Sequence, residues 1–341
     1  MRRLSVVMPN YNYEAFVGAA IDSALAIRWP DVEVVVVDDG STDGSRAIIE
    51  SYGDRITAIF QDNAGPRAAC NTGFAATTGD VVIFLDSDDV LEPSIAEHVA
   101  DAWGPGISKV QFPMTRIDRH GAPVGGVFPT FDPVPTPEQI RTWMRATAAY
   151  PTPPGSGNAY SRAFLERLFP LDGRCGEDTD ASTLAAAPFL GDVVTLPTPL
   201  VRYRQHGENR SFLLSDEGRF AEQIDQAYRR HLFALEVSGS PLNDLRPLFR
   251  GRHLLQLRVA HHRLRPHERP IPTDSGARML RNALAAPFAP GPEGVAHRLM
   301  VSGWALATLA SPRPVARRLI AARFRQGGTG ILRRASSPAA G

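Results

Sequence analysis

What most constrains this chain is an alternation of two periods along residues 1–90. Residues 4–8 form a short β-rich run, closed by the turn residues Pro9-Asn10-Tyr11-Asn12. Apolar residues then recur at Phe16, Ala19, Ala20, Ala24 and Ile27, which is helical spacing, and Asn12 is placed to cap that helix. Residues 32–37 are a valine-rich run suited to a strand buried on both faces, broken by Asp38-Asp39-Gly40-Ser41. A helix over 46–52 stopped by Gly53 and a strand over 56–60 come next. A helix over 66–78 follows, with Pro66 in its first turn and Gly79 past its end, and then a strand over 81–85.

Strands alternating with helices require right-handed crossovers, so the expected class is α/β, a mainly parallel sheet with helices on both faces. Ligands of such sheets bind outside the carboxyl ends of the strands. The second strand ends in Asp38-Asp39 and the fourth runs into Asp86-Ser87-Asp88-Asp89, which puts two acidic clusters on one rim. Asp86 and Asp88 are hard oxygen ligands at i, i+2. They suit Mg²⁺ or Mn²⁺, of which Mg²⁺ typically binds one or two carboxylates together with substrate phosphates.

The rest of the chain is less regular. Residues 129–137 and 151–157 read as Pro- and Gly-rich loops, 159–168 and 181–187 as helices, and 193–200 as a strand. Past residue 211 the pattern becomes Arg-rich helices over 217–235, 247–264, 293–310 and 314–324. The expected organisation is a catalytic domain over 1–211, a helical C-terminal extension over 212–325 and a disordered tail over 326–341.

Composition narrows the class further. With 43% hydrophobic and 21% charged residues the chain is globular, and two cysteines are too few for a disulfide framework or zinc ribbon. No basic-then-apolar leader opens it. The longest uncharged, mostly apolar C-terminal run, residues 299–312, falls short of the roughly 20 residues a membrane span needs. A cytoplasmic protein is expected, peripheral at the inner face of the plasma membrane. Residues 1–210 carry 17 Lys+Arg against 27 Asp+Glu, a balance of −10, and residues 211–341 carry 20 against 9, a balance of +11. The basic rear part points to an anionic surface, which could be lipid, nucleic acid or another subunit, and no nucleic-acid partner is expected.

Several stretches, taken in order, resemble the family 2 glycosyltransferases. They are Ser5-Val-Val-Met-Pro-Asn-Tyr-Asn12, Val36-Val-Asp-Asp-Gly-Ser-Thr-Asp43, Asn63-Ala-Gly65, Asn71-Thr-Gly73 and Gly79-Asp-Val-Val-Ile-Phe-Leu-Asp-Ser-Asp-Asp89. Gly176-Glu-Asp-Thr-Asp180 and Arg202-Tyr-Arg-Gln-His-Gly-Glu-Asn-Arg-Ser211 extend the series. The resemblance implies the GT-A (Rossmann-like) nucleotide-diphospho-sugar fold and inverting, metal-dependent transfer from a nucleotide-diphospho-sugar donor, UDP-sugar favoured. It implies a saccharide or lipid-linked acceptor. By position, Pro9, Tyr11 and Asn12 would line the nucleotide pocket, and Asp38 and Asp39 would hold base and ribose. Asp86 would meet ribose or metal, Asp88 would be the main metal ligand, His206 would approach the metal, and Asp178, in preference to Asp180, would be the general base.

Two departures matter. Many relatives have Arg where this chain has Cys70, and Arg67, about one turn earlier, is the candidate replacement at the diphosphate. The Gln-x-x-Arg-Trp motif of processive synthases is missing around Gln205, which favours addition of single sugars. The competing reading is a non-catalytic sugar-nucleotide-binding or membrane-associated partner with a degenerate site. Asp86-Ser-Asp-Asp-Val90 also fits a phosphatase signature, but that signature belongs after a first strand and needs a later lysine, and Lys109 follows too soon. No Gly-x-Gly-x-x-Gly follows the first strand, which argues against a nicotinamide site.

Overall fold

The structure, a computed structural model, describes residues 2–175, 179–206 and 219–325. Its backbone divides into two compact units. The first is drawn from Met1–Met144, Tyr150–His206 and Leu232–Leu242, and the second from Arg145–Ala149, Gly207–His231 and Asn243–Gly341.

The first unit begins β1 (Leu4–Asn10), α1 (Val17–Leu25), β2 (Val32–Asp38), α2 (Ser45–Glu50), β3 (Thr57–Phe60), α3 (Pro66–Ala75) and β4 (Val81–Phe84). These match the expected elements in order and type. It continues with β5 (Val90–Leu91), α4 (Ile95–Asp101), β6 (Ile107–Gln111), β7 (Met114–Ile117), β8 (Pro123–Phe128) and the part of α5 (Pro137–Thr147) up to Met144. The last elements are β9 (Asn158–Ser161), α6 (Arg162–Leu165), α7 (Thr179–Leu190), β10 (Asp192–Thr195) and β11 (Val201–Arg204).

Seven strands form one sheet in the order β10-β6-β9-β4-β1-β2-β3, all neighbours parallel except β9, which runs antiparallel to both β4 and β6. A second sheet has the order β5-β11-β7-β8. Period two explains the layering. Val34 and Val36 pack into the core that includes α1, whereas Val35 and Val37 point to the other face with Ala69 of α3. Burying each such side chain contributes about 1.5–3 kcal/mol. Gly73 is where α3 comes closest to the sheet. A Cβ there would overlap Val7 and lie 3.3 Å from Val37 Cγ2, so the Asn71-Thr-Gly73 motif has a packing reason.

Four sequence expectations need correction. Asn12 does not cap α1, which starts at Val17 without a side-chain cap. Its φ of 60° is left-handed, and its Oδ1 accepts from Thr42 N at 2.7 Å, which ties it to the β2–α2 loop. Residues 159–168 are not one helix: Ala159 and Tyr160 are buried in β9 between β4 and β6, and only one turn, α6, follows, with Ser161 as its cap. The strand expected over 193–200 ends early, as β10 at Thr195; Pro197 and Pro199, which have no N–H to donate, lie in the connection, and the next strand, β11, begins only at Val201 and belongs to the other sheet.

The second unit is helical. It comprises the part of α8 (Arg219–Val237) up to His231, then α9 (Arg246–Arg250), α10 (Arg252–Leu264), α11 (Gly276–Ala285), α12 (Val295–Ala310) and α13 (Arg313–Arg325). The fourth correction is here, because the helix expected over 247–264 breaks at Gly251. A Cβ on Gly251 would stand 2.9 Å from Thr147 O, too close for any larger residue. No described helix is long and apolar enough to cross a membrane. Residues 326–341 lie outside the described residues.

Candidate active site

The first three strands step outward from β1, and the fourth returns to its other side. The strand order therefore reverses between β1 and β4, which is where open α/β sheets bind ligands. The acidic loop sits at that point. Ser87 Oγ donates to Pro9 O at 2.9 Å and so joins the ends of β1 and β4. Asp86, Asp88 and Asp89 converge, each offering an oxygen within 4.8 Å of the others.

Their surroundings differ. Asp86 is exposed, Asp88 is 7% exposed and Asp89 is fully buried. Burial is the main cause holding the Asp89 carboxyl well above the usual carboxylate range, and the neighbouring Asp88 and Asp86 add to it. Arg204 N donates to Asp89 Oδ1 at 2.9 Å and Arg204 Nε to Asp88 O at 2.8 Å, which anchors the loop to β11. His206 Nε2 lies 2.9 Å from Asp88 Oδ2, its ring stacked on Phe16 at 5.0 Å between centroids. Three converging carboxyl groups, whose mutual repulsion a cation would relieve, are a donor set that a hard divalent cation fits.

The other sequence candidates surround the β1 and β2 ends. Asp38 Oδ2 accepts from Asn10 Nδ2 at 2.9 Å and its Oδ1 from Ser41 N at 3.0 Å. Asp39 accepts from Gln61 Nε2 at 2.7 Å, Ala64 N at 3.0 Å and Gly65 N at 2.8 Å, so it shapes the turn into α3. Both carboxylates are buried and engaged by their own chain. Pro9 is half-buried, while Tyr11 is 45% exposed and Asn12 is exposed beside the same loop. Arg67 is half-buried in the first turn of α3; the Asp172 carboxyl is lowered chiefly by its hydrogen bonds from Arg174, and the charge of Arg67 adds to that. Cys70 is buried. Asp178 and Glu177 lie outside the described residues, as do residues 207–211 of the late motif.

A second group of residues carries no signal in the sequence. Ser156 Oγ accepts from Asp86 N at 3.1 Å, and Gly155 N donates to Asp180 Oδ2 at 3.1 Å. The turn that presents them is stapled by Asn158, whose Nδ2 donates to the carbonyls of Pro153, Pro154 and Gly155 at 3.3, 3.1 and 3.1 Å. Lys109, fully buried, orients that amide by donating from Nζ to Asn158 Oδ1 at 2.9 Å and to Thr152 Oγ1 at 2.8 Å. Burial drives the Lys109 ammonium well below the usual lysine range, and Asp180 opposes the shift.

The Glycosyl transferase family 2 model matches residues 5–169. An uncharacterized glycosyltransferase of Nostoc sp. is 34% identical over 248 residues, 71% of this chain and 75% of that protein. The chain belongs to glycosyltransferase family 2. A second relative, from Rickettsia prowazekii, is 39% identical over 95 residues, 28% of this chain and 30% of that protein. This chain thus spans three quarters of one relative and less than a third of the other.

Among solved structures, Staphylococcus aureus TarS 1–349 in complex with UDP-GlcNAc is similar at a TM-score of 0.56 and 20% identity, over 95% of this chain and 92% of that one. The Pyrobaculum calidifontis mannosyltransferase PcManGT, in complex with GDP-Man and Mn²⁺, gives 0.51 and 20%, over 98% of this chain and 88% of that one. The fold is GT-A, with a mixed sheet, helices on both faces and a helical C-terminal region. As a family 2 enzyme the protein is a nucleotide-sugar transferase with its acidic cluster at the switch point. Asp89 and Arg204 were visible inside the quoted motifs. Ser156, Asn158 and Lys109 had no signal, because their partners are distant in the chain.

Proposed function

We propose that the protein catalyses inverting, metal-dependent transfer of a single sugar from a nucleoside-diphosphate sugar, UDP-sugar favoured, to an acceptor hydroxyl. The acceptor is a saccharide or lipid-linked glycan, and the C-terminal region makes peripheral contact with the inner face of the plasma membrane. The observation that carries the reading is the convergence of Asp86, Asp88 and Asp89 at the β1/β4 switch point, with His206 on Asp88. The complexes of TarS with UDP-GlcNAc and of PcManGT with GDP-Man and Mn²⁺ support donor and cation class on the same fold.

Asp88 and Asp86 would hold Mg²⁺ or Mn²⁺, with His206 alongside. When bound, the ion neutralises the diphosphate and so makes it a better leaving group. The chain's own work is positional. Asn10, Ser41 and Gln61 fix Asp38 and Asp39 behind the nucleotide pocket, while Pro9, Tyr11 and Asn12 line its mouth. Arg67 is proposed at the diphosphate. In the single displacement the acceptor oxygen bonds to the anomeric carbon as the bond to diphosphate breaks, and the hydroxyl proton passes to Asp178. The lack of a processive-synthase motif near Gln205 supports one sugar per encounter.

The test is thermal unfolding with UDP, GDP, dTDP and CDP, each with and without Mn²⁺. A ligand that binds only the folded state raises the midpoint, so one nucleotide should raise it in a metal-dependent way. A metal-independent shift, or none, would remove the acidic cluster from donor binding. Asp178→Asn should abolish turnover with donor affinity retained, and full activity in that variant would take the base role from Asp178.

A further inference from the structure

Among the described residues, seven of the eleven large apolar side chains that stand exposed fall between Leu280 and Val315. On α11 the outward side carries Leu280 and Leu284, and Phe288 just beyond is 86% exposed. On α12 the outward stripe is Ala296, Leu299, Met300, Gly303, Ala307 and Ala310, with no charged residue. A surface helix of a globular protein ordinarily turns its charged side outward; this stripe of α12 does not, and on α11 Arg281 is the one charged residue exposed beside the two leucines.

The stripe is not core left uncovered. The inner sides of α11 and α12 are already packed: Met279, Ala283 and Ala305 meet Leu255 and Val259 of α10, and Ser302 Oγ donates to Ala283 O at 2.8 Å. The outward apolar sides are a second, separate face. Charge selects its occupant. Residues 276–325 hold eight arginines and one acid, Glu293, which is committed to Arg252 at 2.7 Å. Arg281, Arg313, Arg317 and Arg318 are exposed. A second copy would bring the same arginine excess and no free acid from this region to meet it. A bilayer with acidic headgroups satisfies both the apolar stripe and the arginines.

We propose that the outward face of α11, Phe288 and α12 is an interfacial docking surface for a bilayer containing anionic lipid. The face lies in the headgroup boundary rather than spanning, in keeping with helices too short or too polar to cross. This deepens the proposed peripheral contact and rests on it, by naming the surface and the lipid chemistry; the donor site does not enter.

The experiment uses the full chain and sedimentation with phosphatidylcholine vesicles, with and without phosphatidylglycerol, at low and high salt. The wild type should sediment with the anionic vesicles, and more weakly at high salt. The variant Leu284→Gln/Phe288→Gln/Leu299→Gln, altered only at exposed positions, should bind them at least about tenfold less. Its unfolding midpoint and its nucleotide-induced shift should match wild type, which separates lost docking from lost folding. Phe288→Trp should show a blue-shifted emission on anionic vesicles. Equal binding by the triple variant would overturn this face while leaving a membrane contact elsewhere. Absence of binding to any vesicle would overturn both. A self-association abolished by the triple variant would assign the face to a second copy and also overturn the proposal.

Discussion

The two units solve the same problem, burying a chain full of charge, in opposite ways. In the first, the parallel sheet satisfies its own backbone, and its carboxylates gather on one rim, where Asp86, Asp88 and Asp89 crowd together. Its fully buried lysine, Lys109, is held by neutral oxygens. In the second, short helices leave carbonyl groups at their ends and loops, and arginines reach them. Arg252 Nε donates to Ala286 O at 3.1 Å, Arg258 Nη1 to Phe249 O at 3.1 Å, and Arg298 to Glu293 O and Gly291 O at 2.7 and 2.6 Å. Part of the basic excess that reads in sequence as an anionic-surface signal is therefore internal fastening. The exposed arginines of α11 and α13 are the part left for a partner.

The largest expected effect probes the polar core of the second unit. Arg258 and Asp274 pair through two bonds of 2.7 and 2.6 Å with Arg258 1% exposed. Asp274→Ala leaves that guanidinium buried without its carboxylate and should cost about 3–5 kcal/mol, read as faster hydrogen exchange across α10. Replacing both as Arg258→Met/Asp274→Leu should be close to neutral by the same argument, and an equal loss would show that the pair is needed for more than charge balance. In the first unit, Asp88→Ala should lower activity about 10²–10³-fold. Its unfolding midpoint should hold or rise, because one of three crowded carboxylates is gone; a collapse in stability would make Asp88 structural.

Lys109→Met tests whether the buried strut serves the site. Releasing Asn158 loosens the turn behind Asp86, so metal affinity should fall about tenfold with kcat less affected. Loss of stability alone, with metal affinity intact, would confine Lys109 to folding. The smallest effect is acid sensitivity of the second unit. Burial is the chief cause lowering both His231 and His261, so each is harder to protonate in the folded unit than in the unfolded chain. Below the ordinary value of 6.5 the unfolded chain takes up protons that the folded unit refuses, so stability is complete above that pH and declines as pH falls through it. Unfolding followed in the second unit should show this decline, and a flat profile from pH 7 to 5 would contradict it.

How much of this was legible depended on where each residue's partners lie. The elements from β1 to β4 could be read because the burial of valines on both faces, the breaking turns and the helix stops are all local. The acidic rim followed from topology. Asn12 was misplaced because a cap and a loop tie use the same carboxamide, and only the position of Thr42 selects between them. Residues 159–168 misled for a related reason: Asn158–Ser161 is inserted between β4 and β6, and that context overrides its weak local preference.

Local pattern along the chain was enough for the class of sheet, the placing of Asp38, Asp39, Asp86 and Asp88 at strand ends, and the family. Those are consequences of short-range pattern and crossover handedness. Packing from elsewhere in the chain was needed to show that Asp39 is spent on shaping the turn into α3, that Asp89 is the most deeply buried member of the acidic triad, and that Lys109 and Asn158 stand behind it. It also decided which side of α12 faces out. Burial and pairing depend on what packs against a residue from elsewhere in the chain, and no local pattern encodes that neighbour.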